Sequence, residues 1–339
     1  MRHLFRCSKF LGGWLLVFIS LHYPLTLRAE CQHSKGLERL KSMVEALVRS
    51  SVGQIGVSAK HLESGLGFEI NGDTFFPMAS VVKLPILIEV MAQIHEGKMS
   101  LSEEVELYEK DQFYEGGLLS ELDAPGVTLS VSNLINLMMM YSDNTAADIL
   151  LHRVGMTSIN SRLRSFGIEN VLVNRSIRAL LIEYWGMEFE KYQTFPRDEF
   201  PGILKKWMKE NPEALKKGAH EYSLATICPA TPKAINHLLE MIFKKEILDA
   251  PTCERILDIM RKCQTGTKRI RGLLPADTDV AHKTGTVGGT VNDCGIIYLP
   301  EKLGHVALSV MSKNADPRDM ENTISLIAKC VYDYFYFTL

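Results

Sequence analysis

The chain has 339 residues, of which 46% are hydrophobic and 23% charged, with a formal net charge of −2. This is an ordinary globular composition with ample apolar material for a core, which excludes the fibrous and disordered classes. No basic cluster stands out from the balanced charge, so no nucleic-acid partner is expected.

Residues 1–29 read as an export signal. Arg2, Arg6 and Lys9 form a basic start, and LGGWLLVFIS opens an apolar stretch running to Leu27. An uncleaved membrane anchor is the weaker alternative, because His22 and Pro24 break a stretch already short for a span. Cleavage after Ala29 leaves 34 basic against 40 acidic residues, a net charge of −6, and an exported domain over 30–339, periplasmic or secreted. Glu30 precedes Cys31 where a lipidated cysteine needs a small residue, which argues against a lipid anchor. Besides Cys7 in the leader, six cysteines remain: Cys31, Cys228, Cys253, Cys263, Cys294 and Cys330. An even count in an oxidising compartment permits disulfides without choosing partners; the alternative is small buried thiols. The chain lacks Cys-x-x-Cys, His-x-His and His-Glu-x-x-His spacings. No metal or other cofactor is therefore expected.

Apolar residues recur at helical spacing from Leu37 to Leu47, and Ile55, Val57 and Ala59 then alternate as a strand. Gly67 to Asn71 reads as the next strand. A buried helix, apolar nearly all round, is expected from Ser80 through Ile94. Helical patterns run from LINLMMMY to Arg164 and resume at Pro232–Phe243 and Cys253–Lys262; Met138 to Met140 read as core. Strands return at Asp279–Lys283, Asp293–Leu299 and His305–Ser312, before a last helix from Arg318 to Tyr334. The expected architecture is an α/β sheet layer from residues 37–78 and 265–339, an all-helical region over 79–264 inserted into it, and a site in the seam.

Within PMASVVKLP, Ser80 and Lys83 stand three apart at what reads as a helix start. That spacing sets a hydroxyl beside an amine on one face, near unpaired N–H groups and the positive end of a helix dipole. A neighbouring base activates a serine, and a lysine can be that base if burial or another cation lowers its pKa. Ser142-Asp143-Asn144 follows at a break between helical patterns, and Lys283-Thr284-Gly285-Thr286 at what looks like the inner end of a strand. Ser-x-x-Lys, Ser-Asp-Asn and Lys-Thr-Gly in this order resemble the set of the class A β-lactamases and penicillin-binding proteins. SDNTAADILL, TGTKRIRGLLP and AHKTGTVGGTVNDCGIIYLP extend the resemblance to the class A β-lactamase family from Leu37 to the C-terminus.

The resemblance implies an antiparallel sheet flanked by N- and C-terminal helices, a penicillin-recognising serine hydrolase, and a role for each motif residue. Ser80 is the nucleophile, and Lys83 the base for acylation. Ser142 relays a proton to the leaving nitrogen, and Asn144 holds the substrate amide and Lys83. Lys283 is a second cation that lowers the Lys83 pKa and attracts an acidic substrate. Thr284 and Gly285 let a strand edge pair with the substrate, and backbone N–H groups of Ser80 and Thr286 form an oxyanion hole. Arg269 steadies the substrate carboxylate through Thr284. Asp143 is assigned to turn chemistry.

The resemblance is interrupted after Arg175. In NRSIRALL, Arg175 and Leu180 match the family's loop motif Arg-x-Glu-x-x-Leu-Asn, but Ile177 stands in place of the glutamate and Leu181 in place of the asparagine. An atypical aromatic-rich insertion follows over 182–229, read either as a lid or as an appendage packed elsewhere. Three functions follow: a β-lactam hydrolase, a D,D-peptidase or esterase of the same fold acting on cell-wall peptides, and a covalent penicillin receptor that stalls after acylation. Glu183, Glu188, Glu190 or Lys83 would have to supply the missing base. A monomer acting on a small molecule is expected.

Overall fold

The computed structural model describes residues 35–339. The leader and Cys31 lie outside the described residues. Helix α1 covers 35–50, followed by β1 (Gln54–His61), β2 (Gly67–Ile70), β3 (Phe76–Pro77) and α2 (Lys83–His95). The short pair β4 (Glu104–Glu106) and β5 (Thr128–Ser130) leads into α3 (Val131–Met140), α4 (Asn144–Val154) and α5 (Met156–Ser165). Next come α6 (Ile177–Tyr184), α7 (Phe189–Tyr192), α8 (Phe200–Glu210) and α9 (Pro212–Ser223). The chain ends with β6 (Pro229–Ala230), α10 (Pro232–Phe243), α11 (Ala250–Arg261), β7 (Val280–Val287), β8 (Thr290–Tyr298), β9 (His305–Lys313) and α12 (Pro317–Thr338).

Five strands form one antiparallel sheet in the order β2-β1-β9-β8-β7, so the two ends of the chain meet at the β1–β9 pairing. Alternation along each strand feeds two cores. On one face Leu40 and Val44 of α1, with Ile324, Ile327 and Val331 of α12, cover Val57, Val291 and Leu308. On the other, Ala281, Ile296 and Ala307 meet the helices. Helix α2 is the centre of that second layer, with every residue from Lys83 to Ala92 buried. Each fully buried Leu, Ile or Val there stabilises the fold by about 1.5–3 kcal/mol.

Two expectations need correction. Ser80 does not open the α-helix: it lies in a 3-10 turn, Ala79–Val82, and α2 begins at Lys83. The apolar run VVKLPIL is continuous across both and carries no mark of the change in hydrogen-bonding. Nor does the strand end at Lys283. Gly285 remains in extended backbone, and the turn falls at Gly288-Gly289, with Gly288 at φ +51°, so the Lys-Thr-Gly-Thr run lies inside β7.

The inserted segment folds on itself. Ile182, Trp185, Met187, Tyr192, Phe200 and Leu204 form a separate small core, and Trp207 Nε1 donates to Trp185 O at 3.0 Å. It docks on the 107–125 stretch through Arg197, which donates to Ser120 O and Leu122 O, and Arg178 of α6, just before the insertion, ties the two together by donating to Lys110 O and Gln112 O on one side and to Gln193 O of the insertion on the other. Tyr184 also touches the β7–β8 turn, its hydroxyl filling the space a Cβ on Gly288 would occupy. Because this core is separate, Phe200→Ala is expected to lower its stability by about 3–5 kcal/mol. Hydrogen exchange should then accelerate in α8 and α9 while β8 and β9 stay protected.

Candidate active site

Three segments converge at the seam. The turn carrying Ser80 is held from below by β8, where Asn292 Nδ2 donates to Pro77 O at 2.9 Å and Met78 O at 3.0 Å. Ala79, just before Ser80, has φ +47°. A left-handed non-glycine residue is strained, and the surrounding contacts must hold it. The second segment is the break between α3 and α4, where Ser142 has φ +60°. Asp143 caps α4, accepting from Ala146 N at 2.7 Å, and also accepts from Leu119 N at 2.8 Å. Gly116 O takes the N–H groups of Asn144 and Thr145, which ties the 115–119 loop to the same corner. The third segment is β7, the edge strand of the sheet. A Cβ on Gly285 would lie 2.5 Å from Met78 O and 3.1 Å from Ser80 N, so only glycine lets this strand approach the serine turn.

Ser80 is half-buried, and Lys83 has no exposed surface. Lys83 Nζ lies 3.2 Å from Ser80 Oγ, 2.5 Å from Ser142 O, 3.0 Å from Ser142 Oγ and 2.6 Å from Asn144 Oδ1. Two of these four oxygens are carbonyls and only accept; the hydroxyls can also donate. A neutral amine has two N–H bonds and one lone pair. With both N–H bonds given to the carbonyls, its lone pair remains for a hydroxyl proton. Burial, reinforced by the charge of Lys283, pushes the Lys83 pKa well below that of an ordinary lysine, against the opposing pull of Asp143 and Asp148.

Ser142 Oγ lies 3.0 Å from Lys283 Nζ as well as 3.0 Å from Lys83 Nζ, bridging the two amines. Lys283 also donates to Thr284 O at 2.9 Å. Burial lowers its pKa to about 8. The arrangement therefore joins the Ser80 hydroxyl, a buried amine, a bridging hydroxyl and a second amine in one hydrogen-bonded cluster.

Arg269 requires a correction. Its guanidinium does not meet Thr284: Nη2 donates to Thr286 Oγ1 at 2.6 Å, Nη1 to Asn292 O at 2.9 Å and Gly285 O at 3.2 Å, and Nε pairs with Glu321 at 3.2 Å. Alternation along β7 turns Thr284 and Thr286 to one side, and the fork of Arg269 reaches the farther of them. The partner of Thr284 is Thr265, with their hydroxyls 2.6 Å apart. Thr265 stands inside the TGTKRIRG phrase, yet only the charged residue of that phrase attracts attention in the sequence. Asn292 and Asp148 are likewise silent there, although Asn292 positions the serine turn and Asp148 acts electrostatically on Lys83.

Ile177 is buried in the helical core. Its N–H and that of Arg178 donate to Asp148 at 2.6 and 2.9 Å, so this carboxylate caps α6. Glu183 pairs with Arg175 at 2.7 Å, and Glu188 and Glu190 are exposed at the start of α7. Among the described residues, no hydrogen bond joins any of these glutamates to the Ser80 cluster. No group of three or more His, Cys, Asp or Glu side chains among them is placed to hold a metal ion. Cys228, Cys253, Cys263, Cys294 and Cys330 are free thiols.

The model of the Beta-lactamase enzyme family matches residues 39–335. The chain belongs to that family. It is 27% identical to Beta-lactamase VEB-1 of Pseudomonas aeruginosa, covering 95% of this chain and 97% of that protein. It is 26% identical to the extended-spectrum beta-lactamase PER-1 of the same species, covering 87% of each. A beta-lactamase structure from Chitinophaga pinensis superimposes with TM-score 0.69 at 26% identity, over 87% of this chain and 98% of that one. The similarity thus spans the sheet layer and the helical region together, and this β-lactamase-family enzyme has the mixed architecture of its relatives. Gly285→Ala tests the close approach: the added methyl is expected to slow acylation about a hundredfold by displacing the serine turn, with a stability loss of about 1–3 kcal/mol in thermal melts.

Proposed function

We propose that this enzyme opens β-lactam rings through an acyl-enzyme on Ser80. The observation that carries the reading is the oxygen cage around Lys83, which leaves a buried amine one lone pair to take the Ser80 proton. Ser80 Oγ attacks the lactam carbonyl as Lys83 removes its proton. The backbone N–H groups of Ser80 and Thr286 receive the developing oxyanion. Lys83 then passes the proton through Ser142 Oγ to the ring nitrogen, the C–N bond breaks, and the acyl group remains on Ser80. Asn144 holds Lys83 and the substrate amide. Lys283, Thr284 and Gly285 meet the substrate carboxylate and backbone, with Arg269 orienting Thr286. The names of VEB-1 and PER-1 support a β-lactam substrate, and export with a cleaved leader fits such a role.

Deacylation is the slow half. The position that would carry a water-activating glutamate holds Ile177, which can neither accept a proton nor bind water. Among the described residues, Lys83 is the one base hydrogen-bonded to Ser80, so it serves both steps. Losing a dedicated base costs roughly a hundred- to ten-thousandfold. A labelled penicillin is expected to add one covalent mass at Ser80, with Ser80→Ala abolishing it and Lys83→Ala slowing it about a hundredfold or more. A chromogenic cephalosporin should give a burst near one equivalent and then a slow phase. Linear turnover without a burst, or labelling at the same site in Ser80→Ala, contradicts the reading.

Ile177→Glu is expected to fail as a repair. The new carboxyl would enter the helical core that holds Ile177, at about 2–5 kcal/mol of stability for an unpaired polar group. Melting temperature should fall and the slow phase persist; a stable variant with fast turnover would show that the carboxyl reaches water.

A further inference from the structure

The insertion reaches the Ser80 cluster indirectly, through the 107–125 stretch and Asn144. That asparagine lies between two partners of different kinds: its Oδ1 accepts from Lys83 Nζ at 2.6 Å, and its Nδ2 donates to Glu115 O at 2.6 Å. A backbone carbonyl only accepts, so the Glu115 carbonyl fixes which end of the amide faces the lysine. Turned over, the amide would point its NH2 at Lys83 and occupy the lone pair that Ser80 needs. The Glu115 carbonyl is itself held in a costly conformation, since Glu115 has φ +66°, a left-handed backbone that only its surroundings maintain. Gly116 O accepts from the N–H groups of Asn144 at 2.7 Å and Thr145 at 2.9 Å, and Leu119 N donates to Asp143 Oδ2 at 2.8 Å. The far end of the loop is stapled by the buried Gln112, whose Nε2 donates to Leu119 O at 2.5 Å and Leu122 O at 2.8 Å. The insertion completes the fastening. Arg197, between α7 and α8, donates through Nη1 to Ser120 O and, at 3.0 Å, to Leu122 O, while its Nε pairs with Asp198 at 2.7 Å.

We infer that Arg197 is a positioning residue: by holding the 115–122 backbone it keeps the Glu115 carbonyl on Asn144, and so keeps the lone pair of Lys83 open to Ser80. The inference rests on the acyl-enzyme reading above and deepens it. The insertion then acts as a brace rather than a lid, and Arg197 needs no contact with substrate. A single nitrogen, Nη1, serves both carbonyls, so the position requires a donor at one point and not a bidentate fork. A lysine Nζ, with three N–H donors, can meet that requirement.

A double-mutant cycle on acylation by saturating labelled penicillin tests the brace. Arg197→Met keeps the apolar stem and removes the donors. It should slow acylation about tenfold, within the range of coupling seen between members of one hydrogen-bond network. In an Asn144→Ala background, where no amide is left to orient, the same substitution should change the rate by less than about twofold. Arg197→Lys should recover most of the lost rate. An unchanged rate in Arg197→Met, an equal tenfold loss in both backgrounds, or an Arg197→Lys rate as low as that of Arg197→Met overturns the brace. Hydrogen exchange gives a readout without activity. The N–H groups of Leu119, Asn144 and Thr145 bond across the junction of loop and helix, so their exchange should quicken about tenfold in Arg197→Met while β8 and β9 stay protected. Equal exchange in wild type and variant overturns the brace. Should Arg197→Met fold poorly, exchange in the wild type decides: protection of these three groups as strong as inside α4 supports the brace, and exchange at the rate of an open loop overturns it. Absence of labelling at Ser80 in the wild type would instead refute the acyl-enzyme reading, leaving hydrogen exchange to judge the brace.

Discussion

The buried amine of Lys83 is the constraint on which the site depends. An ammonium with no exposed surface is costly unless oxygens replace its water, and here they come from three places in the chain: Ser80, Ser142 and Asn144. The seam between sheet and helices must therefore be closed for the amine to be solvated at all. Burial that makes the lysine a poor cation makes it a better base, so the packing that stabilises α2 and the chemistry proposed for Ser80 have one origin.

Much of the surrounding structure keeps that seam closed. Asn292 holds the serine turn from the sheet side, and Asp143 with Gly116 holds the Ser142 corner from the helical side. Gly285 removes the side chain that would keep the two apart. Ala79 and Ser142 both adopt left-handed backbone, which costs of order 1–3 kcal/mol each and persists only where neighbours enforce it. The strain lies on either side of the amine, in the two turns that supply its hydroxyl partners.

The insertion changes what lies beside the site rather than the cluster itself. Its aromatic residues form a core of their own, and Arg178 and Arg197 fasten that core to the 107–125 stretch through backbone carbonyls. Helix α6 begins at Ile177, capped by Ser176 and Asp148. The Ile177 side chain packs in the helical core and is apolar, so it offers no polar group to a water over Ser80.

The sequence by itself singled out Ser80, Lys83, Ser142, Asn144 and Lys283, which the structure brings into one cluster, because short motifs keep their residue types and order whatever the packing around them. It also determined most strands and helices, whose apolar periods are local; Pro232–Phe243 has the same limits in sequence and structure. Tertiary structure alone decided that Ser80 lies in a 3-10 turn, since the same apolar pattern suits either helix. It alone sent Arg269 to Thr286 and gave Thr284 to Thr265, because a long side chain's partner depends on how a loop returns to a strand. The pairing of His282 with Asp293 was hidden for the same reason. Their separation of 11 residues carries no periodic signal, and only the antiparallel pairing of β7 with β8 brings the two together.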